Sequence, residues 1–201
     1  MFNFKHFLAN LALAAAMVGA CGQAAATPLA YRVDIDTALL GTGPAFLDLY
    51  FLGLAGAPDA TATVNHLTGA LDGAPDLTGM VTGGAAGPFV FSNAGGGGEL
   101  VQAIQLGGTF GFDVSFTMAP GTTGTTFGWA LFDTTHYLGA DGDLGDLFLQ
   151  PFAPGEQQVL VAAPATRVTS VTTIPEPSTA ALMLVAMLAM VARRGPGARR
   201  R

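Results

Sequence analysis

From Thr109 to Met118 the chain alternates without a break: Phe110, Phe112, Val114, Phe116 and Met118 fall on one side, and Thr109, Gly111, Asp113, Ser115 and Thr117 on the other. A helix cannot satisfy a period of two. A strand with one buried face can, and a slip of one residue would turn every aromatic ring to water. The pattern recurs over residues 125–133, where Phe127, Trp129 and Leu131 oppose Gly128, Ala130 and Phe132, and at the start, where Leu29, Tyr31, Val33 and Ile35 alternate with Ala30, Arg32, Asp34 and Asp36. After the break at Gly41-Thr42-Gly43-Pro44, residues 45–54 are apolar on nearly both sides, which predicts a central strand. Shorter strands are expected at 61–67, 77–82, 88–92, 147–149, 159–162 and 168–171, separated by Gly, Asp and Pro turns. Only residues 99–106, after the run Gly95 to Gly98, read as a short helix. Nine or ten short strands without helical crossovers predict an all-β fold, an antiparallel β-sandwich or jelly roll, over residues 27–172.

Both ends differ from this middle. Residues 1–26 have the order of a secretory signal peptide: Lys5, an apolar stretch over 7–20, and Ala24-Ala25-Ala26 as a small-residue cleavage site ending at Ala26. Val18-Gly19-Ala20-Cys21 offers the alternative of lipid attachment at Cys21. Cleavage at Ala26 would leave a mature chain without cysteine, so its core must hold without disulfides. At the other end Pro175 and Pro177 block helix, Ser178 is a suitable N-cap, and Ala, Leu and Met dominate up to Ala192. The 13 residues 180–192 would make a helix of about 20 Å, short of the roughly 30 Å hydrocarbon core of a bilayer. Five of the eight basic residues, Arg193, Arg194, Arg199, Arg200 and Arg201, lie beyond it, as a cytoplasmic end requires, and their stems can snorkel to extend a short span. The expectation is a stop-transfer helix at about 179–192.

The order of Pro175-Glu176-Pro177, apolar helix and arginine-rich end resembles the PEP-CTERM sorting signal of Gram-negative bacteria, over about the last thirty residues, 173–201. The resemblance implies recognition of Pro175, Glu176 and Pro177 by an exosortase, a membrane-embedded cysteine protease-transpeptidase. That enzyme would remove the helix and pass the ectodomain to the cell surface or exopolymer. A plain C-terminal anchor with a rigid proline spacer is the simpler alternative. The middle of the chain is also similar to a group of small PEP-CTERM ectodomains, through Phe46-Leu47-Asp48-Leu49, Asn65-His66-Leu67, the strand from Phe127 to Asp133 and the acidic loop after it. These loose patterns bear on fold and address more than on activity.

Charge narrows the function classes. Between Thr27 and Ile174 there are 13 acidic residues against Arg32 and Arg167 alone, a net of −11. Such a surface repels nucleic acid and anionic lipid, and suits a soluble extracellular domain or one that collects cations. Gly139 to Asp146 places Asp141, Asp143 and Asp146 around Gly142 and Gly145, and hard oxygen ligands on a glycine-rich turn suit Ca²⁺. The alternative is a solvated acidic turn. It is no EF-hand, since Gly145 and Phe152 stand at the fifth and twelfth positions. No other cofactor is expected.

Once His6 leaves with the signal, His66 and His136 are the only histidines, and no nucleophile elbow, zincin motif, P-loop or dinucleotide fingerprint is present. Asp133 and His136 could form part of a triad on paper, yet no serine stands beside them. No catalytic residue is therefore assigned. The expected function is an exported structural or interaction protein of the surface or exopolysaccharide matrix, with exosortase and the inner membrane as transient partners. A carbohydrate-binding module is the alternative, with Tyr50, Tyr137 and Trp129 as candidate sugar platforms, although Trp129 shares a face with Phe127 and Leu131 and so belongs to the core on that count. A secreted hydrolase, needing His66 or His136 beside a nucleophile in a concave site, ranks third.

Overall fold

The computed structural model describes residues 30–84, 87–156, 160–162 and 167–174. The expected signal segment with Cys21 and Ala26, the Pro175-Glu176-Pro177 box, the helix at 179–192 and the arginine end lie outside the described residues. Among the described residues no helix is long and apolar enough to cross a membrane.

Twelve strands are described: β1 (Ala30–Asp36), β2 (Gly43–Gly53), β3 (Ala60–Thr68), β4 (Leu71–Gly79), β5 (Val81–Thr82), β6 (Phe89–Ser92), β7 (Gly98–Leu106), β8 (Thr109–Met118), β9 (Thr125–Phe132), β10 (Tyr137–Leu149), β11 (Leu160–Ala162) and β12 (Thr169–Thr173). They form two six-stranded antiparallel sheets, β12-β1-β8-β3-β6-β5 and β11-β10-β9-β2-β7-β4. One hydrophobic cluster, drawn from both, fills the space between them in the manner of a β-sandwich. The pairings nest, with β1 on β8, β2 on β7 and β3 on β6, in alternate sheets.

The alternation seen in β8 holds: Phe110, Phe112, Val114, Phe116 and Met118 are all buried. So does that of β1 and β9, through Val33, Ile35, Phe127, Trp129 and Leu131. As expected, β2 is central, flanked by β7 and β9. Phe127 is the hub of the core. Its ring meets Phe91 at 5.8 Å, Phe112 at 6.0 Å and Phe116 at 5.7 Å across the gap between the sheets, all in edge-to-face geometry. Each such contact is worth about 0.5–1.5 kcal/mol beyond the area it buries.

Several expectations are corrected. Residues 99–106 are strand β7, not a helix: Leu100, Gln102 and Ile104 alternate inward between β2 and β4, and that long-range pairing outweighs local helix propensity. The single strand expected at 77–82 is two, β4 and β5, which belong to different sheets, the chain turning at Gly79 with φ +71°. The strand count is twelve instead of nine or ten. The strand expected at 168–171 is β12, which runs from Thr169 to Thr173 and pairs with β1 from Ile35↔Thr169 to Tyr31↔Thr173.

Polar groups tie the connections into this core. Buried Asn93 accepts from Ala60 N at 2.9 Å and donates to Pro58 O at 2.8 Å and Thr125 Oγ1 at 3.0 Å, joining the end of β6 to the starts of β3 and β9. Thr37 Oγ1 donates to Gly108 O at 2.8 Å and accepts from Gly107 N at 2.9 Å, fixing the β7–β8 turn. Asn93→Ala removes two buried hydrogen bonds and one half-buried one, and denaturant titration should show a loss of about 2–3 kcal/mol. Phe127→Ala should lose about 3–5 kcal/mol, and Leu39→Ala, on a side chain 70% exposed, less than about 0.5 kcal/mol.

Candidate functional site

The outer face of the β10-β9-β2-β7 sheet carries the exposed aromatic residues. Register sets Phe46 of β2 opposite Phe132 of β9, and Phe132 opposite Tyr137 of β10. The Phe46 and Phe132 rings stack at 5.1 Å, and Tyr137 meets Phe132 edge-on at 5.9 Å. Tyr137 is 60% exposed, whereas Phe46 and Phe132 are half-buried. Four residues further along β2, Tyr50 lies over Gly128, where any Cβ would run into its ring. A strip of this kind offers flat apolar faces; the acidic residues Asp48 and Asp146 of the same sheet are buried and half-buried.

Of the three expected platforms, Tyr137 is open, Tyr50 is half-buried, and Trp129 belongs to the core at 0% exposure. The Trp129 Nε1 has no hydrogen-bond partner among the described residues. Phe46 and Phe132 were not singled out from the sequence as platform residues. Only the pairing of β2 with β9, far apart in the chain, makes them neighbours.

The acidic stretch differs from expectation in its backbone. Tyr137–Leu149 is a single strand, with register shifts between Leu138 and Asp143 and between Asp143 and Gly145 where it leaves and rejoins β9. The compact glycine turn is therefore a bulged strand. Bulges insert extra residues in one partner and re-aim the chain locally. Asp146 is half-buried and pairs with Gly128, while the side chains of Asp141 and Asp143 lie outside the described residues.

His136 sits in the exposed turn between β9 and β10. Asp133 Oδ1 accepts from Thr135 N at 2.7 Å, Thr135 Oγ1 at 2.7 Å and His136 N at 2.9 Å. These bonds, with that from the Thr135 hydroxyl foremost, hold the Asp133 carboxyl down at about 2. His136 Nδ1 lies 2.7 Å from Thr135 Oγ1 and 3.2 Å from Asp133 Oδ1. Hydroxyl and carboxylate thus share one ring nitrogen, whereas a nucleophile relay needs them at opposite nitrogens. The arrangement builds an Asx turn.

His66 lies near the end of β3 with φ +52°, the one positive value at a non-glycine residue among the described residues. Its Nδ1 is 2.7 Å from Asp113 Oδ2, and Asp113 in turn meets Arg32 Nη1 at 3.3 Å, while Arg32 Nε donates to Asp34 at 2.9 Å. The register explains the grouping, since Asp113 faces Arg32 on one side and Asn65 on the other.

Compared with known proteins, the chain matches no family model, no curated protein and no solved structure.

Asp133 has a folded-state pKa below its unfolded value. Its bonds therefore contribute stability above the ordinary carboxyl range near 3.8, and that contribution is lost as pH falls through about 2. A carboxyl-detected NMR titration should place its midpoint near 2, and Thr135→Val should move it up toward the ordinary range; an unchanged midpoint in the variant would refute the assigned cause.

Proposed function

We propose that this chain is an exported surface or exopolysaccharide-matrix protein, whose acidic all-β domain is held at the inner membrane by its C-terminal segment until an exosortase cuts near Pro175-Glu176-Pro177. The observation that carries the reading is the order of that tail, box, apolar run and arginines, at the end of a folded domain. The fold adds support. Ile174 N donates to Ala30 O at 2.8 Å, so the N-terminal and C-terminal segments leave the domain side by side. Because β12 runs to Thr173 and Ile174 N is bonded to Ala30, a protease that needs unpaired chain would have to act beyond Ile174. The box that the enzyme would read lies just beyond the last bonded residue. The nested strand pairing supports the finer description of the domain as jelly-roll-like.

A second reading, carbohydrate binding, is favoured by the strip Phe46–Phe132–Tyr137, because stacked rings suit the apolar faces of sugars. The two readings are compatible, since a matrix protein must hold something. Calcium at Asp141, Asp143 and Asp146 belongs to this proposal as a means of rigidifying the β10 bulge. Millimolar Ca²⁺ should raise the melting temperature, and Asp146→Asn should remove the rise; no rise in the parent chain takes the ion out of the account.

The sorting reading is checked with an epitope placed in the exposed turn at Gly56, in hosts with and without exosortase. The tagged domain should become smaller and leave the inner membrane only when the enzyme is present, and Glu176→Ala should retain the tail. Loss of the tail without the enzyme, or its retention in both hosts, would overturn the reading.

A further inference from the structure

The two sheets part along the side where β3 and β6 face β4, and a cleft of about 400 Å³ opens there. Val64 and Phe89 line it from one sheet, Leu71 and Gln102 from the other, and Asn65 and His66 stand with them on the β3 side. The size falls in the range of small-molecule sites, and apolar walls with a few placed polar groups are the usual make-up of such sites.

Gln102 is 2% exposed, yet its amide is only half used. Its Nε2 donates to Asp72 O and Ala103 O, both at 2.9 Å, and reaches Gly73 O at 3.5 Å. Three surrounding carbonyls fix which end of the amide is nitrogen. The Oε1 accepts no hydrogen bond among the described residues, although the residue lines the cleft. That oxygen is therefore an acceptor within reach of a donor entering the cleft.

His66 supplies a second acceptor. With Asp113 at Nδ1, the ring is held as the tautomer that carries its proton there, which leaves the Nε2 lone pair for a ligand. The left-handed backbone of His66 is the kind of strain that gathers at binding sites. No residue lining the cleft carries a full charge apart from what protonation gives His66, and the surrounding surface is strongly acidic. An anion is disfavoured, and a cation would find no carboxylate inside. Two neutral acceptors, one on exposed His66 at the rim and one on Gln102, in a cleft with apolar walls suit a neutral ring with hydroxyl donors on one side and C–H groups on the other.

We infer that the cleft between β3 and β4 binds a neutral sugar unit of a polysaccharide, with Gln102 Oε1 and His66 Nε2 accepting its hydroxyl hydrogens. The inference rests on the carbohydrate-binding reading and places a site apart from the Phe46–Phe132–Tyr137 strip.

The test uses the full chain, purified in a detergent without a sugar headgroup, and saturation-transfer NMR with neutral oligosaccharides of glucose, galactose, mannose and N-acetylglucosamine. Gln102→Leu removes the acceptor but also unties β4, so Gly87→Trp is the decisive variant. Gly87 lines the cleft, its φ is not left-handed, and a Cβ there would meet nothing within 4 Å. Binding of at least one oligosaccharide, weakened roughly tenfold or more by Gly87→Trp and by His66→Gly but not by Tyr137→Ala, supports the site. Binding that survives Gly87→Trp and is lost in Tyr137→Ala overturns the cleft and leaves the carbohydrate reading standing on the aromatic strip. Absence of binding to every oligosaccharide overturns both.

Discussion

The ring of Phe127 is the contact on which the rest of the architecture depends. It projects from β9 and meets Phe91, Phe112 and Phe116 of the opposing sheet, with Phe51 and Trp129 beside it in its own. Aromatic side chains bury the most area per residue, which matters in a chain with many glycines and no disulfide among its described residues. Because the rings come from alternate positions of several strands, their packing also sets register. A one-residue slip of β8 would lose two of these contacts, those of Phe112 and Phe116, at once. The acidic groups are consigned to the outer faces by the same alternation, as the Arg32–Asp113 pair on one sheet and the position of Asp146 on the other illustrate.

Where burial and periodicity agreed, the elements could be read directly. β8 and β9 each begin at the expected residue because every second side chain is large and apolar. β7 was misread because Glu99, Leu100, Gln102 and Ala103 are good helix formers following a glycine run, and its alternation includes a glutamine among the inward positions. That glutamine is buried against β4, a strand thirty residues earlier, and no local pattern announces such a partner. The acidic stretch fails for a related reason. Gly and Asp spell a turn in isolation, yet pairing with β9 draws them into a strand, and the excess residues become bulges. The aromatic strip was half legible: Tyr137 could be named, but its neighbours Phe46 and Phe132 come from strands that only the fold brings together.

The proposed function draws on what the sandwich does at its edge. β12 pairs with β1, and Ile174 N donates to Ala30 O, so the first and last described residues of the domain lie side by side. On the proposed reading, a protease would cut beyond Thr173, since residues up to there are committed to the sheet.

The most direct measurement is the intact mass and C-terminal peptide of the mature protein isolated from its native cells. The account predicts a chain that keeps β12 and ends close to Pro175-Glu176-Pro177, without Arg199, Arg200 and Arg201. Mature material that still carries those arginines would contradict it.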